Sequence, residues 1–192
     1  IIESDLVSID GLSTLESVTG NILIQGNNSL EDISGFNGLS SIGGTLTIGG
    51  LFSYSNISLV DISGFANLSS ISGDMSITIN ESMMAISGFA NLTSINGNLV
   101  FYEYPFRSSP INNIYFINNL TTIGGNLEGN EYCNGFSNLI SIGGNLEMRC
   151  PDEGNFQNLT SIGGFLAFLN SNINCTQKTI NGFNNLATIG TD

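Results

Sequence analysis

The stretch Leu59-Val60-Asp61-Ile62-Ser63-Gly64-Phe65-Ala66-Asn67-Leu68-Ser69-Ser70-Ile71-Ser72-Gly73-Asp74-Met75-Ser76-Ile77 sets apolar residues three apart from Leu59 to Ile71. Gly73 then breaks the pattern, and Met75 and Ile77 alternate with polar neighbours. Steps of three suit an irregular or 3₁₀-like arc with one side turned inward. Alternation is the period of a half-buried strand. The frame returns as Met83, Ile86, Phe89, Leu92, Ile95, Leu99 and Phe101, and again as Ile111, Ile114, Ile117, Leu120, Ile123 and Leu127. A self-similar unit of this size specifies stacked coils, because one unit cannot bury its apolar side alone.

The leucine of the Asn-Leu step, or its equivalent, recurs at Leu15, Leu39, Leu68, Leu92, Leu120, Leu139, Leu159 and Leu186, at spacings of 24, 29, 24, 28, 19, 20 and 27 residues. The length variation falls just after the strand, so insertions form loops on one side. Parallel strands are expected at Ile22–Ile24, Leu46–Ile48, Met75–Ile77, Leu99–Phe101, Leu127–Gly129, Leu146–Met148 and Leu166–Phe168. The fold expected is an all-β-type solenoid, a right-handed parallel β-helix or leucine-rich-repeat-like stack, with about eight coils of roughly 24 residues. It forms one repeat domain over residues 1–192. A helical alternative fails, since glycines and β-branched residues fall where each helix needs its middle. The pairs Gly43-Gly44, Gly124-Gly125, Gly143-Gly144 and Gly163-Gly164 are expected to turn arc into strand through backbone angles that other residues avoid. Phe36, Phe65, Phe89, Phe136, Phe156 and Phe183 should stack as an internal ladder.

Composition narrows the function. Hydrophobic residues make up 41% of the chain, enough for one continuous core, while charged residues make up only 10%. Polarity comes from Asn, Ser, Thr and Gly, which suit tight turns and solvated sheet faces. Three basic residues against sixteen acidic ones give a net charge of −13. That excess repels nucleic acid, whose binding depends on Lys and Arg neutralising phosphates. No apolar run approaches the length of a membrane-spanning helix.

The frame Gly-Phe-x-Asn-Leu-x-Ser-Ile-x-Gly-x-Leu-x-Ile, as at 64–77 and 88–101, resembles the receptor L-domain branch of the leucine-rich-repeat-like solenoids. The resemblance runs from Leu6 to Gly190. It implies a secreted or cell-surface protein that acts by binding or adhesion, and it transfers no ligand residue to this chain. The cysteine-rich modules that flank receptor lobes are absent from the sequence, which argues against a signalling receptor.

No catalytic constellation is visible. The chain contains no His, which removes the usual general base and most zinc sites. The Gly-Gly pairs recur once per coil and read as structure rather than as a nucleotide motif. Glu128 and Glu147 occupy equivalent outward positions on adjacent coils; without an EF-hand spacing they read as solvated rather than as a calcium site. No cofactor or metal is expected, and the chain reads as a non-enzyme.

Eight N-glycosylation sequons occur, at Asn27, Asn56, Asn67, Asn80, Asn91, Asn119, Asn158 and Asn174. Asn67, Asn91, Asn119 and Asn158 share one repeat slot, where Asn also serves as a backbone-satisfying turn residue. Asn56, Asn80 and Asn174 lie in or beside the variable loops, where a glycan is sterically easiest. Cys133, Cys150 and Cys175 lack metal-site spacing, and an odd count suggests one bridge and one thiol. Cys150–Cys175 is the preferred bridge, with Cys133–Cys150 as the alternative. Two insertions carry aromatic residues, Phe52 with Tyr54, and Tyr102, Tyr104 and Phe106 with Arg107. Such residues are the usual material of contact hot spots, although they also serve to cap their own loops.

Thr45, Thr47, Asp74, Ser76, Asn98, Val100, Asn126 and Glu128 form a polar strand face without an aromatic platform for sugar. The sequence starts on Ile1-Ile2 and stops at Ile189-Gly190-Thr191-Asp192 inside a coil, so neither end reads as capped. Either the chain is a piece of a longer array, or its ends pair head to tail with further copies, a contact that builds filaments. The expectation is therefore an extracellular or cell-surface structural or adhesive glycoprotein unit, self-associating into a fibre. The alternative is a recognition ectodomain for protein or carbohydrate.

Overall fold

In the computed structural model the described residues are 6–50, 54–78, 80, 82–84, 86–102, 117–129, 135–148, 156–169 and 182–191. They form a β-solenoid whose coils build two parallel sheets. One sheet has eight two-residue strands: Ser17–Val18 (β1), Ser41–Ile42 (β3), Ser70–Ile71 (β5), Ser94–Ile95 (β7), Thr122–Ile123 (β9), Ser141–Ile142 (β11), Ser161–Ile162 (β13) and Thr188–Ile189 (β15). The other has seven: Ile22–Ile24 (β2), Leu46–Gly49 (β4), Met75–Thr78 (β6), Leu99–Tyr102 (β8), Leu127–Gly129 (β10), Leu146–Met148 (β12) and Leu166–Phe168 (β14).

Each strand pairs only with its counterparts one coil away, in an unbroken register such as Leu46 beside Met75 and Met75 beside Leu99. The strand after the glycine stands where alternation places it. The strand before the glycine is an addition: the three-residue step through Leu68 and Ile71 hides a second, shorter rung at Ser70–Ile71. The rest of the described arc is mostly turns and bends, and includes a 3₁₀ helix at Ser34–Phe36.

The core is a column. Leu59, Ile62, Phe65, Leu68, Ile71 and Met75 of the clearest coil have no solvent exposure, and their equivalents in the coils on either side are also buried. Each such side chain contributes about 1.5–3 kcal/mol on burial. The core therefore supplies most of the stabilisation, and polar side chains choose the register. Phe36 and Phe65 stack with ring centroids 5.0 Å apart, and Phe65 and Phe89 at 5.2 Å, with rings nearly parallel. Phe136 and Phe156 follow at 5.5 Å, then Phe156 and Phe183 at 5.0 Å. The expected ladder exists in two halves, because the fully buried Ile117 takes the slot between Phe89 and Phe136.

The glycine pairs are corners for a different reason from the one expected. Positive φ occurs at Gly26, Gly49, Gly135 and Gly182, none of which belongs to the corner pairs. What the corners require is absence of a side chain. A Cβ on Gly73 would sit 2.7 Å from the carbonyl carbon of Gly44, and one on Gly97 would sit 2.7 Å from that of Gly73. Strands about 4.8 Å apart leave no room for an atom pointing along the stack. Gly20, in the same slot of the first coil, has nothing within 4 Å.

Candidate functional site

Three rows of side chains run along the stack, and each carries residues that the sequence singles out. The first is buried. Asn27 and Asn56 have no exposure, and Asn80 is 7% exposed. Asn56 Nδ2 donates to Asn80 Oδ1 at 3.0 Å and to the Ile24 carbonyl at 3.0 Å. Asn56 Oδ1 accepts the backbone N–H and Nδ2 of Asn27, at 3.1 and 3.2 Å. Asn80 Nδ2 reaches the carbonyls of Thr78 and Ile48, at 3.2 and 3.4 Å.

This row corrects the reading of Asn56 and Asn80 as the easiest glycan positions. Their amide nitrogens point into the stack and each serves two oxygens, so a sugar on Nδ2 has no exit. Asn27 is equally enclosed, donating from Nδ2 to the Gln25 carbonyl at 2.9 Å as well as to Asn56. A sequence signal for this row existed. Asn27, Asn56 and Asn80 each stand three residues before Leu30, Leu59 or Met83 and nine before Phe36, Phe65 or Phe89. Their sequons are thus a second repeat slot.

The second row is exposed. Asn67, Asn91, Asn119 and Asn158 each donate from Nδ2 to a carbonyl of the preceding coil, respectively Asn37, Ala66, Ala90 and Ser137, at 2.6–2.8 Å. Asn138 and Asn185, which carry no sequon, do the same. The structural role of this slot is therefore real, and the second hydrogen of each amide remains directed away from that bond.

A third row starts the longer strands. Asn21 Oδ1 accepts Thr45 N–H at 2.8 Å, Asp74 Oδ1 accepts Asn98 N–H at 2.7 Å, and Asn98 Oδ1 accepts Asn126 N–H at 2.7 Å. Asn126 and Asn145 continue it as far as Phe165. Thr45, Asp74, Asn98 and Asn126 thus serve as coil-to-coil links. The outward row of the seven-stranded sheet is Leu23, Thr47, Ser76, Val100, Glu128, Glu147 and Ala167. Glu128 and Glu147 stand side by side in register, as their repeat positions imply. Among the described residues no group of three His, Cys, Asp or Glu side chains is placed to hold a metal ion.

Tyr54 is exposed, and its carbonyl accepts Gly26 N–H at 2.9 Å. Tyr102 ends β8. Phe52, Tyr104, Phe106, Arg107, Asn174, Cys133, Cys150 and Cys175 lie outside the described residues, and with them both bridge alternatives and most of the contact loops. No helix among the described residues is long and apolar enough to cross a membrane. Searches against protein-family models, curated proteins and solved structures return no match for this chain.

Proposed function

We propose that the chain is a non-enzymatic structural or adhesive unit of an extracellular or cell surface, and that copies of it associate end to end. The observation that carries this reading is the self-complementarity of the coil. Ser40, Ser69, Thr93 and Thr121 each donate a backbone N–H to the preceding coil, where the carbonyls of Glu16, Ser40, Ser69 and Thr93 accept in turn. The two faces of any coil therefore fit each other by translation. A contact of that kind between copies is heterologous and propagates without closing.

Leu166, Phe168, Phe183 and Leu186 are only partly buried, and Ile189 is 49% exposed, whereas its register partner Ile162 is 1% exposed. Among the described strands, β1, β2, β14 and β15 each pair on one side only. The lack of any His supports a non-enzymatic role. The frame's resemblance to receptor L-domains supports the surface location. It also keeps a recognition ectodomain, acting through the loops after the strands, as the second reading.

Electron microscopy and sedimentation velocity of the purified chain at rising concentration test the proposal. Rods that lengthen with concentration, and that Ile189→Lys abolishes while the circular dichroism spectrum is kept, are expected. A monomer at every concentration overturns assembly and favours recognition.

A further inference from the structure

Tyr54, Ile57 and Val60 stand three apart in one coil, and all three are exposed. The turn that closes with Leu59 N–H on the Asn56 carbonyl, at 3.1 Å, sets Ile57 at its outer tip. The three-residue step that buries Leu59 and Ile62 therefore carries a second apolar series on the outside. Val60 also belongs to a row across the coils, with Val7, Glu31 and Met84 in equivalent repeat positions. Glu31 N–H donates to the Val7 carbonyl at 2.9 Å, and Met84 N–H to the Val60 carbonyl at 2.8 Å. Val7 is exposed as well, and Met84 is 62% exposed, too open to serve the core. Five of the nine exposed large apolar side chains among the described residues thus share one corner of the stack. Scattered apolar side chains on a surface are ordinary, whereas a contiguous set marks a contact.

Carboxylates flank this corner. Glu31 is exposed within the row itself, and Asp32 and Asp61 hold the next position along their coils, partly exposed. Asp32 accepts the N–H and the hydroxyl of Ser34, at 2.9 and 2.6 Å. Asp61 accepts the same two groups from Ser87 of the following coil, at 3.1 and 2.8 Å. Those bonds fix both carboxylates in place and use about half of the roughly four acceptor positions that each offers. Arg107, Arg149 and Lys178 all lie outside the described residues, so no described side chain offsets these charges.

We infer that this corner docks a peptide segment of another protein that carries Lys or Arg among apolar side chains. Charge selects the occupant. A second copy of a chain at −13 brings further negative charge towards Glu31 and Asp61, and like charges across a contact oppose it. The anionic surface of a membrane is repelled in the same way. A polycation without apolar side chains leaves Val60 and Met84 in water. A neutral apolar partner desolvates the carboxylates and gives them no counter-charge. A basic amphipathic segment satisfies both groups at once. Tyr54 and Met84 suit such a contact, because aromatic residues and methionine are enriched at interfaces and the methionine side chain adapts to irregular partners. Such docking is independent of end-to-end association, so rods without peptide binding overturn it and leave assembly standing.

Isothermal titration of the full chain with a synthetic Leu/Lys peptide is the test, with oligolysine of equal charge and a Leu/Glu peptide as comparison arms. Saturable binding of the Leu/Lys peptide is expected, with oligolysine weaker by about tenfold or more and the Leu/Glu peptide silent. Added salt should weaken the binding, because the flanking charges reach solvent. Val60→Ser/Met84→Ser should weaken it about tenfold through lost apolar contact. Glu31→Lys should weaken it by a similar factor through charge reversal. All three side chains are exposed, so the circular dichroism spectrum should be kept. Ile140→Ser and Glu147→Gln, further along the stack, should leave the affinity unchanged. Three results overturn the inference: equal affinity for oligolysine, a Val60→Ser/Met84→Ser variant that binds like wild type, or control variants that weaken binding as much. Self-association or attachment to anionic vesicles that Val60→Ser/Met84→Ser removes also overturns it, in favour of a second copy or a membrane.

Discussion

Asn56 Nδ2 donates to Asn80 Oδ1 across 3.0 Å in a part of the stack where Asn56 has no contact with solvent. Its own Oδ1 holds Asn27 from the other side. Asn56 is thus both donor and acceptor to its neighbours one coil away. A fully satisfied row of this kind fixes vertical register, because a shift of any coil leaves a buried amide unpaired.

Asn56→Ala should therefore cost about 3 kcal/mol, since it removes the side-chain acceptor of the Asn27 N–H and the side-chain donor to the Ile24 carbonyl in a part of the stack closed to water. Asn67→Ala, which removes one exposed bond to the Asn37 carbonyl, should cost about 1 kcal/mol or less. Urea denaturation of both variants checks this. Equal losses would mean that the buried row has no special role.

Gly73→Ala and Gly20→Ala occupy one repeat slot and should behave oppositely. At Gly73 the new Cβ meets the Gly44 backbone, and a loss of about 3 kcal/mol is expected from forced separation of the coils. At Gly20 nothing lies within 4 Å, so alanine should be neutral or stabilising by up to about 1 kcal/mol through the unfolded chain. Thermal melts of the two variants in the 192-residue chain decide the matter. A Gly20 variant as damaged as the Gly73 one would restore backbone angle as the reason for glycine.

Phe65 stacks on Phe36 and on Phe89, so Phe65→Leu loses two ring contacts worth together about 1–3 kcal/mol beyond the change in burial. Ile117 interrupts the ring column, and Ile117→Leu should cost less than about 1.5 kcal/mol. Denaturant midpoints rank the pair. The ladder account does not survive if Ile117→Leu is the more damaging.

Secretion through a glycosylating host should add sugar, among the described sequons, at Asn67, Asn91, Asn119 or Asn158 and never at Asn27, Asn56 or Asn80 in folded protein. Peptide mapping by mass spectrometry reads this directly. A glycan on Asn56 in material that still melts cooperatively would contradict the buried row.

The coil, its length, its inward residues and the longer strand were legible in the sequence, because a three-residue step and an alternation are local properties of one chain segment. Ser70–Ile71 was not legible as a strand. Two residues carry no periodicity, and their ladder exists only through Ser41–Ile42 and Ser94–Ile95 of the coils on either side. The two asparagine slots looked alike as sequons and differ only in what lies above and below them. Thr45, Asp74 and Asn98 looked like surface for the same reason.

By itself the repeated frame from Leu59 to Ile77 determined that the chain is a stack of coils and which side of each coil is apolar. Hydrophobic spacing suffices for that, since it acts within about one coil. Only the tertiary structure decided why the corners are glycine and which asparagines are enclosed. Each of these depends on contacts about 4.8 Å along the axis. The residues making such contacts are 19 to 32 positions apart in the chain, and the register between coils alone brings them together.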